Sequence, residues 1–426
     1  NLLMGAAGQA TGYEIEQSIR FNDNDSAYLA RTPSSAGNRR TFTFSCWVKR
    51  ANITGANCPI FTAGGDEWLM FLSGDTLGFN QDGSNNYRIV TTQLFRDPGA
   101  WFHLVLRVDT TNATAGDRFR LYINGAEVTN FGTDTNPPLN YDTAINNTVE
   151  HNIGKLVGGS VFFDGYLAEI HHVDGSSLAP TSFGETNNDG VWIPKAYSGS
   201  YGTNGFYITG ETAGDLGEDF SGNNNDFTSS GLATTDQMPD TPTLNAATLN
   251  PLWKTAATVL SDGNLVAKNG SGNTYQRAIS TFAIDDGGKY ACEFQKSAGT
   301  FGYVGVFQVG NNNVTSGNNY MYAINLGNGE VVKNAAVVID VGAAPANSLM
   351  RVEYDSSNDT IKIFDDGTEI FPAATGVSNV TGLTGQDSLH FGCAMFATNT
   401  IITATFQGLS GTPTADFLEL TSANLA

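Results

Sequence analysis

Histidine, cysteine and basic residues are all scarce in this chain of 426 residues, which has 5 His, 4 Cys and 21 Lys plus Arg against 42 Asp plus Glu. Each shortage excludes something. Cys46, Cys58, Cys292 and Cys393 form no C-x-x-C pair and are too few to staple a chain of this length. They are expected as reduced, structural thiols of a protein folded in a reducing cytoplasm. The net charge of −21, divided as −8 over residues 1–212 and −13 over 213–426, repels phosphate backbones and excludes nucleic acid as a natural partner. No apolar run approaches the ~18 residues of a membrane span. Asn1–Ala7 also lacks the basic start and long apolar stretch of a secretory leader. Charged residues make up only 15% of the chain, against about 25% ordinarily, so good helix formers are in short supply.

Glycine (49 residues), asparagine, threonine and serine fill the gap, and they favour turns between short strands. Trp101-Phe102-His103-Leu104-Val105-Leu106-Arg107-Val108-Asp109 is a strand-length apolar run. Asn124-Gly125 sits between Phe119-Arg120-Leu121-Tyr122-Ile123 and Glu127-Val128, the strongest short-range hairpin signal. Strict alternation along 166–173 places Tyr166, Ala168, Ile170 and His172 on one face and Leu167, Glu169, His171 and Val173 on the other. The same style returns in Gly288–Phe294, Leu349–Asp355 and a hairpin turned by Asp366-Gly367. The chain is therefore read as all-β, with two β-sandwich (jelly-roll) domains over residues 1–212 and 253–426. Residues 213–252, rich in Asn and carrying Pro239 and Pro242, are expected as an extended connector. No repeat links the two halves.

No catalytic constellation emerges. Glu14-Ile15-Glu16 and Asp23-Asn24-Asp25 have the i, i+2 spacing of paired carboxylates, but no third acid follows and both read as solvated surface pairs. His171 and His172 are adjacent on a strand, so they point to opposite faces and cannot share a metal. His103 reads as a core or edge residue, and His151 and His390 have no partner placed beside them in sequence. Asp82-Gly83-Ser84-Asn85-Asn86 and Asp109-Thr110-Thr111-Asn112 offer oxygens for calcium, and equally the side chains of ordinary Asx turns. No other cofactor is implied. For sugar binding, Trp68 and Tyr87 are expected as exposed rings with Asp82 as the neighbouring polar group, whereas Trp47 and Trp101 read as core.

Phe42 to Arg50, Trp101 to Asp109, Leu121-Tyr122-Ile123-Asn124-Gly125, Ile153-Gly154 and Phe163 to Ile170 together resemble the laminin-G-like, concanavalin A-like domain. Gly288-Lys289-Tyr290, Tyr303-Val304-Gly305-Val306, Ile361 to Gly367 and His390-Phe391-Gly392 resemble a SPRY-type sandwich. Tyr13 to Asn22, Phe44 to Arg50, Asp240-Thr241-Pro242-Thr243 leading to Thr248-Leu249-Asn250-Pro251-Leu252, and Leu420 to Leu425 resemble a family of marine bacteriophage proteins. That resemblance implies a non-enzymatic structural component of the virion, a capsid decoration or tail fibre adhesin. It would be made in the host bacterial cytoplasm, joined to other virion proteins as a homo-oligomer, and would display its domains to host-surface glycans. The glucanases sharing the first fold use a triple-acid strand absent here. A polysaccharide depolymerase is the alternative.

Overall fold

In a computed structural model of the chain, described for residues 12–53, 55–65, 67–81, 87–299, 301–309, 321–333, 336–342, 347–371 and 388–425, nearly all regular structure is β-strand. The chain forms two compact units, residues 1–244 and 245–426.

Alternation builds the first unit. Along Thr41–Arg50, Phe42, Phe44, Cys46 and Val48 enter the core, and Thr43, Ser45, Trp47 and Lys49 face outward. This strand lies between Phe102–Asp109 and Gly165–Asp174 at the centre of one antiparallel sheet. The opposing sheet is centred on Thr76–Gln81, Glu67–Phe71 and Cys58–Ala63, which contribute Phe79, Leu69, Phe71 and Phe61 to the same core. Asn124 and Gly125 take φ of 47° and 76°, the left-handed pair of a type I′ turn. Glycine is needed there twice over, since a Cβ on Gly125 would lie 2.4 Å from the Trp192 ring.

The expected alternation along 166–173 breaks in the middle. Ala168 pairs with Trp47 and His171 with Ser45, so two residues oppose one and the strand bulges at Glu169, whose φ is 51°. Tyr166 and Ala168 therefore stay on the outer face while Ile170 and His172 turn inward, and Leu167 and His171 exchange faces in the opposite sense.

The connector expected over 213–252 is divided between the units. Leu216 and Phe227 are buried in the first core, Thr228–Ser230 pairs with Tyr28–Arg31, and Gln237–Met238 pairs with Ser18–Phe21. Ala247 and Leu249 belong to the second core. Isolated apolar residues inside a turn-rich stretch are enough to seat it.

The second unit is another two-sheet sandwich. One sheet runs from Leu249–Lys254 through Gln276–Ser280, Leu389–Met395 and Gly302–Gln308 to Ala336–Asp340. The other is centred on Ile401–Thr405, Lys289–Ala298 and Leu349–Asp355. Cys292, Phe294, Val304, Tyr322, Val352, Phe391 and Cys393 fill the space between them. All four cysteines are free and buried. Burial pushes the Cys58 thiol up to about 11 and that of Cys393 up to about 12, so neither is a nucleophile.

Each unit closes one outer sheet face with its own chain. In the first, the Asp240 carboxylate accepts from Lys49 Nζ at 2.7 Å and Trp101 Nε1 at 2.9 Å, and its carbonyl accepts from Ser18 Oγ at 2.6 Å. In the second, Glu293 accepts from the amides of Ser410 and Gly411, and Glu353 from that of Thr414 and from Arg351 Nε. Removing one partner of a buried ion pair costs about 3–5 kcal/mol, because the other charge is left without solvation. Asp240→Asn is accordingly expected to destabilise the first unit by about 3 kcal/mol. Urea unfolding followed by tryptophan fluorescence, to which that unit contributes Trp47, Trp68, Trp101 and Trp192, checks this. An unchanged midpoint would contradict it.

Candidate functional site

The two rings expected to bind sugar are not on the surface. Trp68 is 4% exposed; a Cβ on Gly78 would lie 3.1 Å from its ring, and the Arg88 guanidinium sits 6.0 Å from the ring centroid. Tyr87 is 0% exposed, enclosed by Phe79, Phe119 and Tyr141. The expectation of two exposed rings is therefore corrected. Position after a polar turn suggested exposure, but Tyr87 shares the inward side with Ile89 at the start of Arg88–Leu94. Asp82, with the rest of 82–86, lies outside the described residues.

His103, His151, His172 and His390 are buried, neutral groups. His172 packs against Phe42, Phe61 and Phe206 and lies 2.8 Å from Asn146 Oδ1. His103 stacks between Trp47 and Trp192, accepting from Trp192 Nε1 at 3.0 Å and facing Ser45 Oγ at 2.8 Å. Desolvation lowers His103 and His172 to about 3 and His151 and His390 to about 4. Glu14, Glu16 and Asp25 are exposed and Asp23 is half-buried, in keeping with surface acids. Asp109 Oδ1 accepts from Thr111 N at 3.0 Å, an Asx turn. Among the described residues no group of three or more His, Cys, Asp or Glu is arranged around a metal.

Two sites gather polar and aromatic groups. On the bulge of the first unit, Glu169 accepts from Tyr13 OH at 2.9 Å and Tyr207 OH at 2.6 Å, with His171 Nε2 at 3.3 Å. Both oxygens are occupied, and the cluster fastens the segment at Tyr13 to the sheet. This is a clamp.

The second site is open. Leu249–Lys254 is an edge strand that pairs with Gln276–Ser280 at Leu249↔Ser280 and again at Lys254↔Ala278. Four residues thus lie between pairs that are only two residues apart on the partner, a bulge larger than the usual two against one. Pro251 has no amide to give the ladder, and Asn250 Oδ1 accepts from Leu252 N at 2.9 Å to shape the excursion. The bulge thrusts out Leu252 and Trp253, 52% and 43% exposed. Together with Lys254, Thr255 and Arg277 they line a cleft of about 190 Å³. The Thr255–Thr258 turn holds its floor, with Thr258 Oγ1 donating to the Arg277 carbonyl at 3.0 Å and Arg277 N donating to Thr255 Oγ1 at 2.8 Å. Lys254 Nζ donates to Thr258 O at 2.6 Å. Burial lowers the pKa of both Lys254 and Arg277. An exposed indole beside aligned donors is a platform for a ligand with one apolar and one polar face.

Sequence reasoning missed Trp253, Lys254 and Arg277. The usable signal was Asn250-Pro251 inside a strand-like run, which marks an edge or a bulge.

Residues 22–179 match the Laminin_G_3 family model, the concanavalin A-like lectin/glucanases superfamily. No curated protein matches the chain. Among solved structures, the SPRY domain of human HERC1 is 13% identical, over 38% of this chain and 99% of that one, at a TM-score of 0.32. A Bacteroides ovatus protein named for carbohydrate binding is 14% identical over 51% and 58%, also at 0.32. A heptameric SAP-like pentraxin from Limulus polyphemus is 16% identical over 39% and 80%, at 0.28.

His103, His151 and His172 set an acid limit. Each folded pKa lies below the 6.5 of a free imidazole, so the unfolded chain takes up protons first as pH falls through 6.5, and stability is lost towards pH 4. Glu67, raised to about 7 chiefly by desolvation, acts in the opposite sense, since the folded state holds its proton between pH 4.5 and 7. Three histidines outweigh one glutamate in the first unit. Its urea midpoint is expected to fall between pH 6.5 and 4.5, and Glu67→Gln to steepen that fall. A midpoint that rises on acidification would contradict this assignment.

Proposed function

We propose that this chain is a non-enzymatic structural protein of a bacteriophage particle, a capsid decoration or tail fibre adhesin, and that it contacts host-surface glycans through the cleft under Trp253. The observation carrying the glycan reading is the bulge that holds an indole 43% exposed beside two basic side chains and a threonine. A pyranose has an apolar face for the ring and hydroxyls for the neighbours. The match of residues 22–179 to a superfamily of lectins and glucanases supports carbohydrate as the ligand class for the protein as a whole.

The virion reading is supported by the resemblance of the segments around Tyr13–Asn22, Asp240–Thr243 and Thr248–Leu252 to phage proteins. It agrees with the roles those segments play here, since Tyr13 and Asp240 fasten chain across an outer sheet face. The buried carboxylates Glu293 and Glu353 are engaged with backbone amides, which supports a scaffold over a depolymerase. A symmetric oligomer completes the proposal.

Quantitative mass spectrometry of purified virions is expected to find this chain at a fixed ratio to the major capsid protein; absence from the particle would overturn the structural role. On a glycan array, the purified protein is expected to bind, and Trp253→Ala to lose about tenfold or more in affinity, the effect of removing an aromatic anchor. Release of new reducing ends from any bound polysaccharide would restore the depolymerase reading.

A further inference from the structure

The charge of the cleft narrows its ligand. The chain has twice as many acidic as basic residues, 42 against 21, yet the residues lining this cleft include two cations and no carboxylate. Arg277 is only 6% exposed, at the second position of the strand Gln276–Ser280, where burial works against its charge. Lys254 is half-buried, and its Nζ gives one proton to the Thr258 carbonyl, leaving two of three donors for another acceptor. Both cations lie beside Trp253, not on the solvent rim of some other element. Desolvated cations next to an aromatic platform gain most from an anionic group carried by the same ligand.

We infer that the Trp253 cleft takes an acidic saccharide, its ring on Trp253 and its carboxylate or sulfate against Arg277 and Lys254; this inference rests on the glycan reading above. The size of the site favours a single sugar ring: about 190 Å³ is too small for a dense polyelectrolyte to thread. The net charge of −21 disfavours nucleic acid, whose phosphates run along a continuous backbone, more than an acidic sugar seated by one ring. Donors from two side chains of different length, Arg277 planar and Lys254 flexible, suit a carboxylate on one ring position.

The test is calorimetric titration of the full chain with three probes of similar length: an oligogalacturonate, a sulfated galactan oligosaccharide and a neutral galacto-oligosaccharide. At least one acidic probe is expected to bind tenfold or more tightly than the neutral one, with affinity falling as salt rises from 50 to 500 mM. Arg277→Gln and, as a substitution outside the buried strand, Lys254→Gln are expected to weaken the acidic probe about tenfold each and to leave the neutral one unchanged. Which acidic probe binds tells carboxylate from sulfate. Equal, Trp253-dependent binding of neutral and acidic probes would overturn this inference and leave the glycan reading intact. Loss of all three through Trp253→Ala alone would support the platform. Binding of no probe, with a single-stranded oligonucleotide bound instead, would overturn both.

Discussion

Lys49 is fully enclosed on the outer side of its strand, and an enclosed ammonium demands a carboxylate. Asp240 answers that demand, with the Trp101 indole as a third member. From this contact follows the course of the chain around it. Residues 237–244 must cross the outer face of the sheet, where Trp47, Trp101, Tyr166 and Ile15 form an apolar cluster beneath them. The face is thus removed from solvent by the protein itself, and exposed apolar surface of that size would otherwise invite association. The second unit solves the same problem with the charges reversed. There the sheet supplies the carboxylates Glu293 and Glu353, and the strap at 410–414 supplies backbone amides. Three of the four oxygens of this carboxylate pair hold amides of the strap.

Much of this was legible in the sequence, and the failures have specific causes. The strand-length run Trp101–Asp109 and the Asn124-Gly125 and Asp366-Gly367 turns are local signals, and all took the expected form. The bulge at Glu169 left no local trace, because its left-handed backbone is stabilised by Tyr13 and Tyr207, 156 and 38 residues away in sequence. The connector failed similarly. Its turn-forming residues were visible, but the decisive ones were Leu216, Phe227 and Asp240, each meaningful only against a distant partner. At the candidate site, Trp68 and Tyr87 each follow polar residues in sequence, a context that suggests exposure. Burial depends instead on which side of a strand a ring occupies, so Trp68 and Tyr87 went inside. Trp253, two positions after Pro251, came out.

What remains open to solvent on the second unit is therefore informative. Leu252 and Trp253 escape the edge strand through a bulge shaped by Asn250 and Pro251, and the strand resumes its pairing at Lys254. A bulge of this kind re-aims side chains without unravelling the sheet. Arg277 meets them from the adjoining strand, so the cleft is built on regular structure and its geometry is fixed before any ligand arrives.

Hydroxyl-radical footprinting of the full chain, with and without an oligogalacturonate, tests the central claim most directly. The account predicts that oxidation of Trp253 and Leu252 falls in the presence of the saccharide, while Trp192 in the first unit is unaffected. Unchanged oxidation at Trp253 under conditions where the saccharide is bound, with protection at another surface, would contradict it.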